Sequence, residues 1–255
     1  MDIIGNGFLA KHLAALAAHH RGVVVAAAGV SAAQHTAPEA FQRETDLVRA
    51  LVDRCLRSGE RLVFFSTASS GIYSQPGQPG TEDAQVVPGT AYGRHKHTLE
   101  QELAASPVEH LILRLGHVVG RDQPSHQLLP ALAAQVSSGL VRIFPGARRD
   151  LIDVADVVTV IDALLSAGVS RTTVNVASGH AVPIERIIRH LQLRLGTTAR
   201  WSYSAPVVTQ EISIRKLRSL VPAVDAMGFG PDYYRDVLDK YLPLGRPGGL
   251  AAAPK

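Results

Sequence analysis

The chain has 255 residues, 46% hydrophobic and 19% charged, a balance that fits a globular protein with one large core, or one core and a small lobe. It excludes a disordered or fibrous chain; no run approaches the roughly 18 apolar residues of a membrane span, and a single cysteine, Cys55, rules out an internal disulfide or a Cys-rich metal site. The net charge is +4, but only five of the 26 basic residues are lysines and the arginines are scattered, so a mildly basic cleft for phosphorylated ligands is expected and a nucleic-acid surface is not.

The N-terminus lacks the basic, apolar and small-residue succession of a signal peptide, which makes a cytoplasmic location the expectation. Short apolar runs then alternate with amphipathic stretches, the pattern of β-α units around a parallel sheet. Residues 2–4 form a very short strand ending at Gly5, residues 8–20 an Ala- and Leu-rich helix, and residues 23–27 a buried strand. Residues 38–58 form a helix with Leu47, Leu51 and Cys55 on one face, stopped by Gly59, and residues 62–65 the next strand. A loop rich in Gly, Pro and Gln (residues 74–89) leads to a helix over 92–105 and a strand over 111–115. In the second half, helices are expected over 127–137, 154–166, 184–195 and 232–241, with a strand over 173–176. The tail from Gly245 has nothing to pack and reads as disordered.

Two motifs carry chemistry. Gly5-Asn6-Gly7-Phe8-Leu9-Ala10 is a G-x-G-x-x-A turn between a strand and a helix. Glycines there let backbone approach a pyrophosphate, and the helix start at Phe8 and Leu9 offers amide donors and a partial positive charge. The string alone is weak; its place after the first strand is the supporting context, and a tight turn without a ligand is the alternative. The second motif is Tyr92 and Lys96 at i and i+4, which project from one helix face. A nearby ammonium stabilises tyrosinate, so the phenol pKa should fall from its ordinary value of about 10, toward acid or base work at neutral pH. Many chance Y-x-x-x-K strings exist. What singles this one out is the order: glycine turn, the cluster Ser66-Thr67-Ala68-Ser69-Ser70 at a strand end, then the pair. Ser69 could hydrogen-bond the substrate oxygen that gains or loses the proton.

Together these segments resemble the short-chain dehydrogenase/reductase superfamily, within it the extended branch of nucleotide-sugar epimerases, dehydratases and ketoreductases. VFFSTASSGIYS resembles the family's strand, Ser/Thr cluster and V-Y-G; Thr81-Glu82-Asp83 its acidic loop; AYGRHKHTLEQ its catalytic helix. LRLGHVVG resembles its next strand, RRDLIDVADVV its R-D-x-I-x-V-x-D signature and VNVASGHAVPIERII its substrate-lobe strand and helix. The resemblance implies an α/β fold: a Rossmann-like parallel sheet of reduced strand number over 1–165, and a small C-terminal α/β substrate lobe with interleaved elements over 166–244. Residues 245–255 form the tail, and residues 127–138 and the 200s line the substrate pocket. It implies Ser69, Tyr92 and Lys96 as catalytic residues, with Lys96 also holding the nicotinamide ribose. An NAD or NADP cofactor would meet Gly5, Gly7, Phe8, Leu9, Ala26, Ala27, Ser66, Thr67, Tyr92, Lys96 and His117. A small, nucleotide-linked substrate would meet Ser69, Ser70, His117 and Arg149. For Arg149 the alternative is a salt bridge to Asp150 or Asp153, and for His117 a structural role. No metal, nucleic-acid or membrane partner is implied; a homodimer through the helices over 39–58 and 92–105 is.

The chain departs from the family in one respect. RGVVVAAAGVS follows the first helix directly and resembles the family's fourth strand, so a β-α-β block of about 40 residues is missing against the usual domain size. No acidic residue remains about 20 positions after the glycines to bind the adenosine ribose, and the glycine loop is one residue short. The first strand should then lie near or at a sheet edge, with the adenosine side of the crevice open. Three outcomes compete: a weakly bound, exchanging cofactor; a wall supplied by a partner subunit or loop; or loss of the cofactor. A reductase releases oxidised cofactor every turnover and tolerates a weak site, whereas an epimerase or dehydratase holds NAD+ throughout. The expected function is therefore an NAD(P)H-dependent ketoreductase acting on a nucleotide-linked keto-sugar or a specialised-metabolite carbonyl, with Tyr92 as proton donor. The alternatives are an epimerase or dehydratase of the same substrates, a cofactor-free lyase or isomerase using Tyr92 and Lys96, and a non-catalytic scaffold.

Overall fold

The computed structural model describes residues 1–31, 37–68, 72–73, 80–207 and 211–242. Ser69 and Ser70, residues 74–79 of the Gly/Pro loop and the tail lie outside the described residues. In chain order the first half holds β1 (Asp2–Ile4), α1 (Phe8–Leu13), β2 (Val23–Ala26), α2 (Pro38–Ser58), β3 (Arg61–Thr67), α3 (Ala91–Ala105), β4 (His110–Leu115) and β5 (His117–Val119). The second half holds α4 (Leu128–Ser137), β6 (Leu140–Ile143), β7 (Arg148–Asp153), α5 (Val154–Ser166), β8 (Thr172–Val176) and β9 (Ala181–Pro183). It closes with α6 (Ile184–Leu195), β10 (Arg200–Tyr203), α7 (Arg215–Leu220) and α8 (Tyr233–Tyr241).

The continuous apolar runs of β2, β3 and β4 are buried on both faces, as strands of a covered parallel sheet must be. Their alternation sorts them between two cores. Val24, Ala26, Leu62, Phe64 and Ile112 pack with Val48, Leu51 and Cys55 of α2 and Leu99 and Leu103 of α3. Val23, Val25, Val63, Phe65, Leu111 and Leu113 join the larger core that runs through α5 and the C-terminal elements. The five strands stand in the order β1-β2-β3-β4-β8, every neighbouring pair parallel. The first strand is at the edge, as the missing block predicts. Parallel strands end together, so Gly5, Ala27, Ala68 and Gly116 all follow strand ends along one rim of the sheet. That rim is where ligands bind in open α/β sheets.

The lobe's elements are interleaved with those of the sheet. β5, β7 and β9 form a mixed three-stranded sheet and β6 pairs with β10, while β8 returns to the main sheet between them in sequence. The helix expected over 8–20 is shorter: α1 ends at Leu13 and a 3-10 turn takes over at Ala14–Leu16. Residues three apart eclipse in a 3-10 turn. The tightening thus carries both Leu13 and Leu16 into the core, which alanines between them do not resist.

Candidate active site

The site begins with two helix starts. Pro38 opens α2, and Glu44 falls one turn before Val48 on its buried stripe, which continues through Leu51 and Cys55. Thr90 caps α3, its hydroxyl accepting from the Gly93 N–H at 2.9 Å. This sets Tyr92 in the first turn and Lys96 one turn on, and the Lys96 ammonium lies 5.8 Å from the centre of the Tyr92 ring. The same ammonium is only 3% exposed; it donates to Glu44 Oε1 at 2.5 Å and to the Phe65 carbonyl at 3.1 Å. The second oxygen of Glu44 accepts from His95 Nε2 at 2.9 Å and the Val30 N–H at 3.1 Å. Burial works against ionising Glu44, but the His95 hydrogen bond and the Lys96 charge outweigh it and hold the carboxyl below its ordinary range.

This pair corrects the expectation for Tyr92. Lys96 does favour tyrosinate, but burial of the phenol, the largest influence, and the nearby Glu44 charge both oppose it, and the net direction is up. Tyr92 is therefore held as a phenol at neutral pH, with a proton to give and little tyrosinate to take one.

The rim fits a dinucleotide in several places. Gly5 has φ +136°, and a Cβ there would stand 2.7 Å from the backbone carbonyl of Ala27, so only glycine lets the β1 turn close against β2. At Gly7 a Cβ would meet nothing nearer than the Ala27 oxygen at 4.0 Å; the fold itself makes no use of that missing side chain. The amides of Phe8 and Leu9 open α1 and have no helical acceptor, while the Phe8 side chain is turned into the protein. Ala26 is buried and Ala27 half-buried at the end of β2, Thr67 is buried, and the buried Ser66 hydroxyl has no partner among the described residues. A glycine cradle that no side chain fills and a buried Ser66 hydroxyl without a partner among the described residues, on one rim, suit a nicotinamide dinucleotide.

On the lobe side, His117 of β5 is in register with Leu151 of β7, which puts it on the same face as Arg149, two residues earlier. Among the described residues no carboxylate pairs with Arg149; its guanidinium donates to the Arg148 carbonyl at 2.8 Å, and burial pulls its pKa down. The alternative salt bridges are closed to it. Asp150 accepts from the Ser178 hydroxyl and from the Ser178 and Gly179 N–H groups at 2.7–2.9 Å, and Asp153 caps α5 and binds Lys240 and Tyr241. His117 is kept neutral, its pKa driven down to about 3 by burial and by Arg149, and its buried Nδ1 has no partner among the described residues. A cation without a counter-ion beside an open imidazole nitrogen suits an anionic ligand.

Sequence reasoning missed two features. One is Glu44. The signal was present: positions 44, 48, 51 and 55 make one helical stripe, and a carboxylate on a buried stripe requires a cation. The other is the network around Arg114, which forks onto Glu100 at 2.6–3.2 Å and donates to the Tyr73 hydroxyl at 2.8 Å. Tyr73 in turn donates to Asn175 at 2.7 Å, and Asn175 holds the backbone of Gly80 and Ser213. Nothing in the sequence pairs positions so far apart.

Fold and comparisons together define an enzyme of the short-chain dehydrogenase/reductase type. The model of the NAD dependent epimerase/dehydratase family matches residues 6–177, and the chain belongs to that family. It is 27% identical over 168 residues to a dTDP-6-deoxy-L-talose 4-dehydrogenase (NAD(P)(+)) of Kitasatospora kifunensis, a match covering 59% of this chain and 52% of the relative. The chain thus spans about half the length of that curated relative. Among solved structures it is similar to a UDP-N-acetylglucosamine 4-epimerase from Methanobrevibacter ruminantium (TM-score 0.74, 16% identity, 94% of this chain and 96% of that one). It is also similar to RMD from Pseudomonas aeruginosa, solved with NADPH (TM-score 0.67, 20% identity, 86% and 90%). At these identities the likeness is one of fold.

Proposed function

We propose that the protein is an NAD(P)H-dependent ketoreductase acting on a carbonyl of a nucleotide-linked sugar. The observation that carries this reading is the state of Tyr92, a half-buried phenol held in its protonated form beside a lysine whose charge is paired with Glu44. Epimerases and dehydratases of this kind begin by removing a proton, which needs the tyrosinate form that a raised pKa makes scarce at neutral pH. A carbonyl reduction needs the opposite. A bound reduced nicotinamide supplies the hydride, two electrons and one proton, to the carbonyl carbon. Tyr92 gives its O–H proton to the carbonyl oxygen, the product is the alcohol, and the tyrosinate is reprotonated from solvent. Lys96 holds the cofactor's ribose side, while the rim at Gly5, Gly7, Phe8 and Leu9 holds the pyrophosphate, with Ala26, Ala27, Ser66 and Thr67 beside them. Ser69, with Ser70, orients the carbonyl.

Arg149 supports an anionic substrate. Its guanidinium suits a diphosphate through charge and a forked donor set, and neutral His117 adds a hydrogen bond without adding charge. The relative's substrate suggests a dTDP-linked 6-deoxy sugar bearing its ketone at C4. Beyond β1 no strand walls the adenosine side among the described residues, which favours a cofactor that exchanges every cycle over one that stays bound.

The test mixes the purified full chain with NADPH or NADH, following cofactor fluorescence, and then runs the reaction backward with dTDP-6-deoxy-L-talose and the oxidised cofactors. Saturable binding and the appearance of reduced nicotinamide are the expected results. If neither cofactor binds at millimolar concentration, the ketoreductase is excluded.

A further inference from the structure

We propose that Glu44 is a positioning residue that acts through Lys96: by pairing with the ammonium it offsets the positive charge facing the half-buried Tyr92 and so helps set the centre to donate protons rather than withdraw them. The proposal rests on the reductase reading for its purpose, but its physical content does not need the cofactor.

Glu44 and Lys96 are 4% and 3% exposed and meet at 2.5 Å. A buried carboxylate is costly, and it is retained here on a stripe that is otherwise apolar. The surroundings are built to hold it. His95 and the Val30 N–H bind its second oxygen, and a Cβ at Gly29 would collide with Glu44 Oε1 and come within 3.2 Å of the Lys96 ammonium. The turn after β2 therefore closes over the ion pair only because residue 29 lacks a side chain. Glu44 thus ties three elements of the rim together: α2, α3 and the β2 turn.

The electrostatic consequence follows from the geometry. An uncompensated ammonium 5.8 Å from the Tyr92 ring would stabilise tyrosinate, lowering the phenol by about one to three pH units. A carboxylate at hydrogen-bond distance turns that charge into a dipole with little reach. The charged groups that bear on the phenol are Lys96 from its own helix and Glu44 from α2. His95, on the same helix, faces the far oxygen of Glu44, and β3 contributes the Phe65 carbonyl and the Phe64 ring, 5.0 Å from the ammonium. With Glu44 in place Lys96 orients; without it Lys96 would also activate.

The experiment is a pH titration by NMR of the full chain labelled with 13C at the tyrosine ring carbon bearing oxygen, with no cofactor present. Tyr92→Phe identifies the resonance. In the native protein Tyr92 should ionise above the ordinary tyrosine value of about 10, and in Glu44→Gln its midpoint should fall by about one to three pH units. The carboxamide keeps the shape and removes the charge, and the melting temperature reports whether the variant folds. If Glu44→Gln does not fold, the native titration alone decides. A native Tyr92 midpoint at or below about 10 overturns the proposal, as does a folded Glu44→Gln protein with an unmoved midpoint. Absence of carbonyl reduction alongside the expected titration would instead defeat the ketoreductase reading and leave the Glu44 pairing standing.

Discussion

Arg149 and His117 stand on the same face of adjacent strands, burial and the arginine's charge together holding the imidazole neutral, with no carboxylate paired to the arginine among the described residues. Such a pair brings the fold no stability, which points to a ligand as its purpose. Arg149→Ala should therefore leave the melting temperature unchanged or raise it, since a half-buried charge without a counter-ion is removed. The same change should raise KM for a diphosphate-linked substrate about 10- to 100-fold, the worth of charge-assisted hydrogen bonds. A marked fall in melting temperature with an unchanged KM would make Arg149 structural.

The His117 side of the pair predicts a pH dependence of stability. Its folded pKa of about 3 lies below the ordinary 6.5, so between these values the unfolded chain takes up a proton that the folded one refuses. The contribution of a neutral His117 is full above about pH 6.5 and is lost as pH falls toward 3. Asp150 runs the other way. Burial raises it from 3.8 to about 6, so its contribution is full below 3.8 and is lost as pH rises through 6. His117→Asn removes only the first effect. The melting temperature of the native protein, measured relative to this variant, should therefore drop as pH is lowered from about 7 to about 4. A constant difference would mean that the imidazole is not buried in neutral form.

The two glycines of the first turn should separate folding from binding. Gly5→Ala places a Cβ against the Ala27 backbone at a φ of +136°, and should cost about 1–3 kcal/mol in denaturant titrations. Gly7 has φ −74° and open space, so Gly7→Ala should keep stability within about 0.5 kcal/mol. It should nonetheless weaken NADPH and NADH binding, because the added methyl fills the gap through which a pyrophosphate would reach the amides. Unchanged cofactor affinity in Gly7→Ala would place the dinucleotide elsewhere.

These contrasts show where sequence reading succeeded. The edge position of β1 could be deduced, because the chain runs from the first helix straight into a strand that resembles the family's fourth and leaves nothing to lie beyond β1. The helix over 38–58 was readable in full, bounded as it is by Pro38 and Gly59. Tyr92 and Lys96 were readable as neighbours, since i and i+4 fixes their shared face. Their electrostatics were not, because burial of the phenol and the charge of Glu44, 52 residues from Lys96 along the chain, both come from a packing of α2 on α3 that no local pattern specifies. The short strands β5, β6, β7, β9 and β10 escaped for a related reason. Three to six residues carry too little alternation to stand out, and their pairing partners lie in distant segments.

The network joining β4 to the loops beside the site yields the largest expected effect. Arg114 is buried, its pKa raised by Glu100 and Tyr73 against the pull of burial, so the guanidinium stays charged and depends on the single carboxylate of Glu100 for compensation. Glu100→Gln leaves that charge buried and uncompensated, and should cost about 3–5 kcal/mol. Tyr73→Phe keeps the ion pair. It removes one hydroxyl that accepts from Arg114 and donates to Asn175, and should cost about 1–3 kcal/mol. The two changes share a partner in Arg114, so the double variant should lose less than the sum of the singles. Denaturant titration of the three proteins measures this coupling directly. Full additivity would show that Tyr73 and Glu100 do not act on the same guanidinium, and that the rim loop over 80–82 is anchored to Asn175 without it.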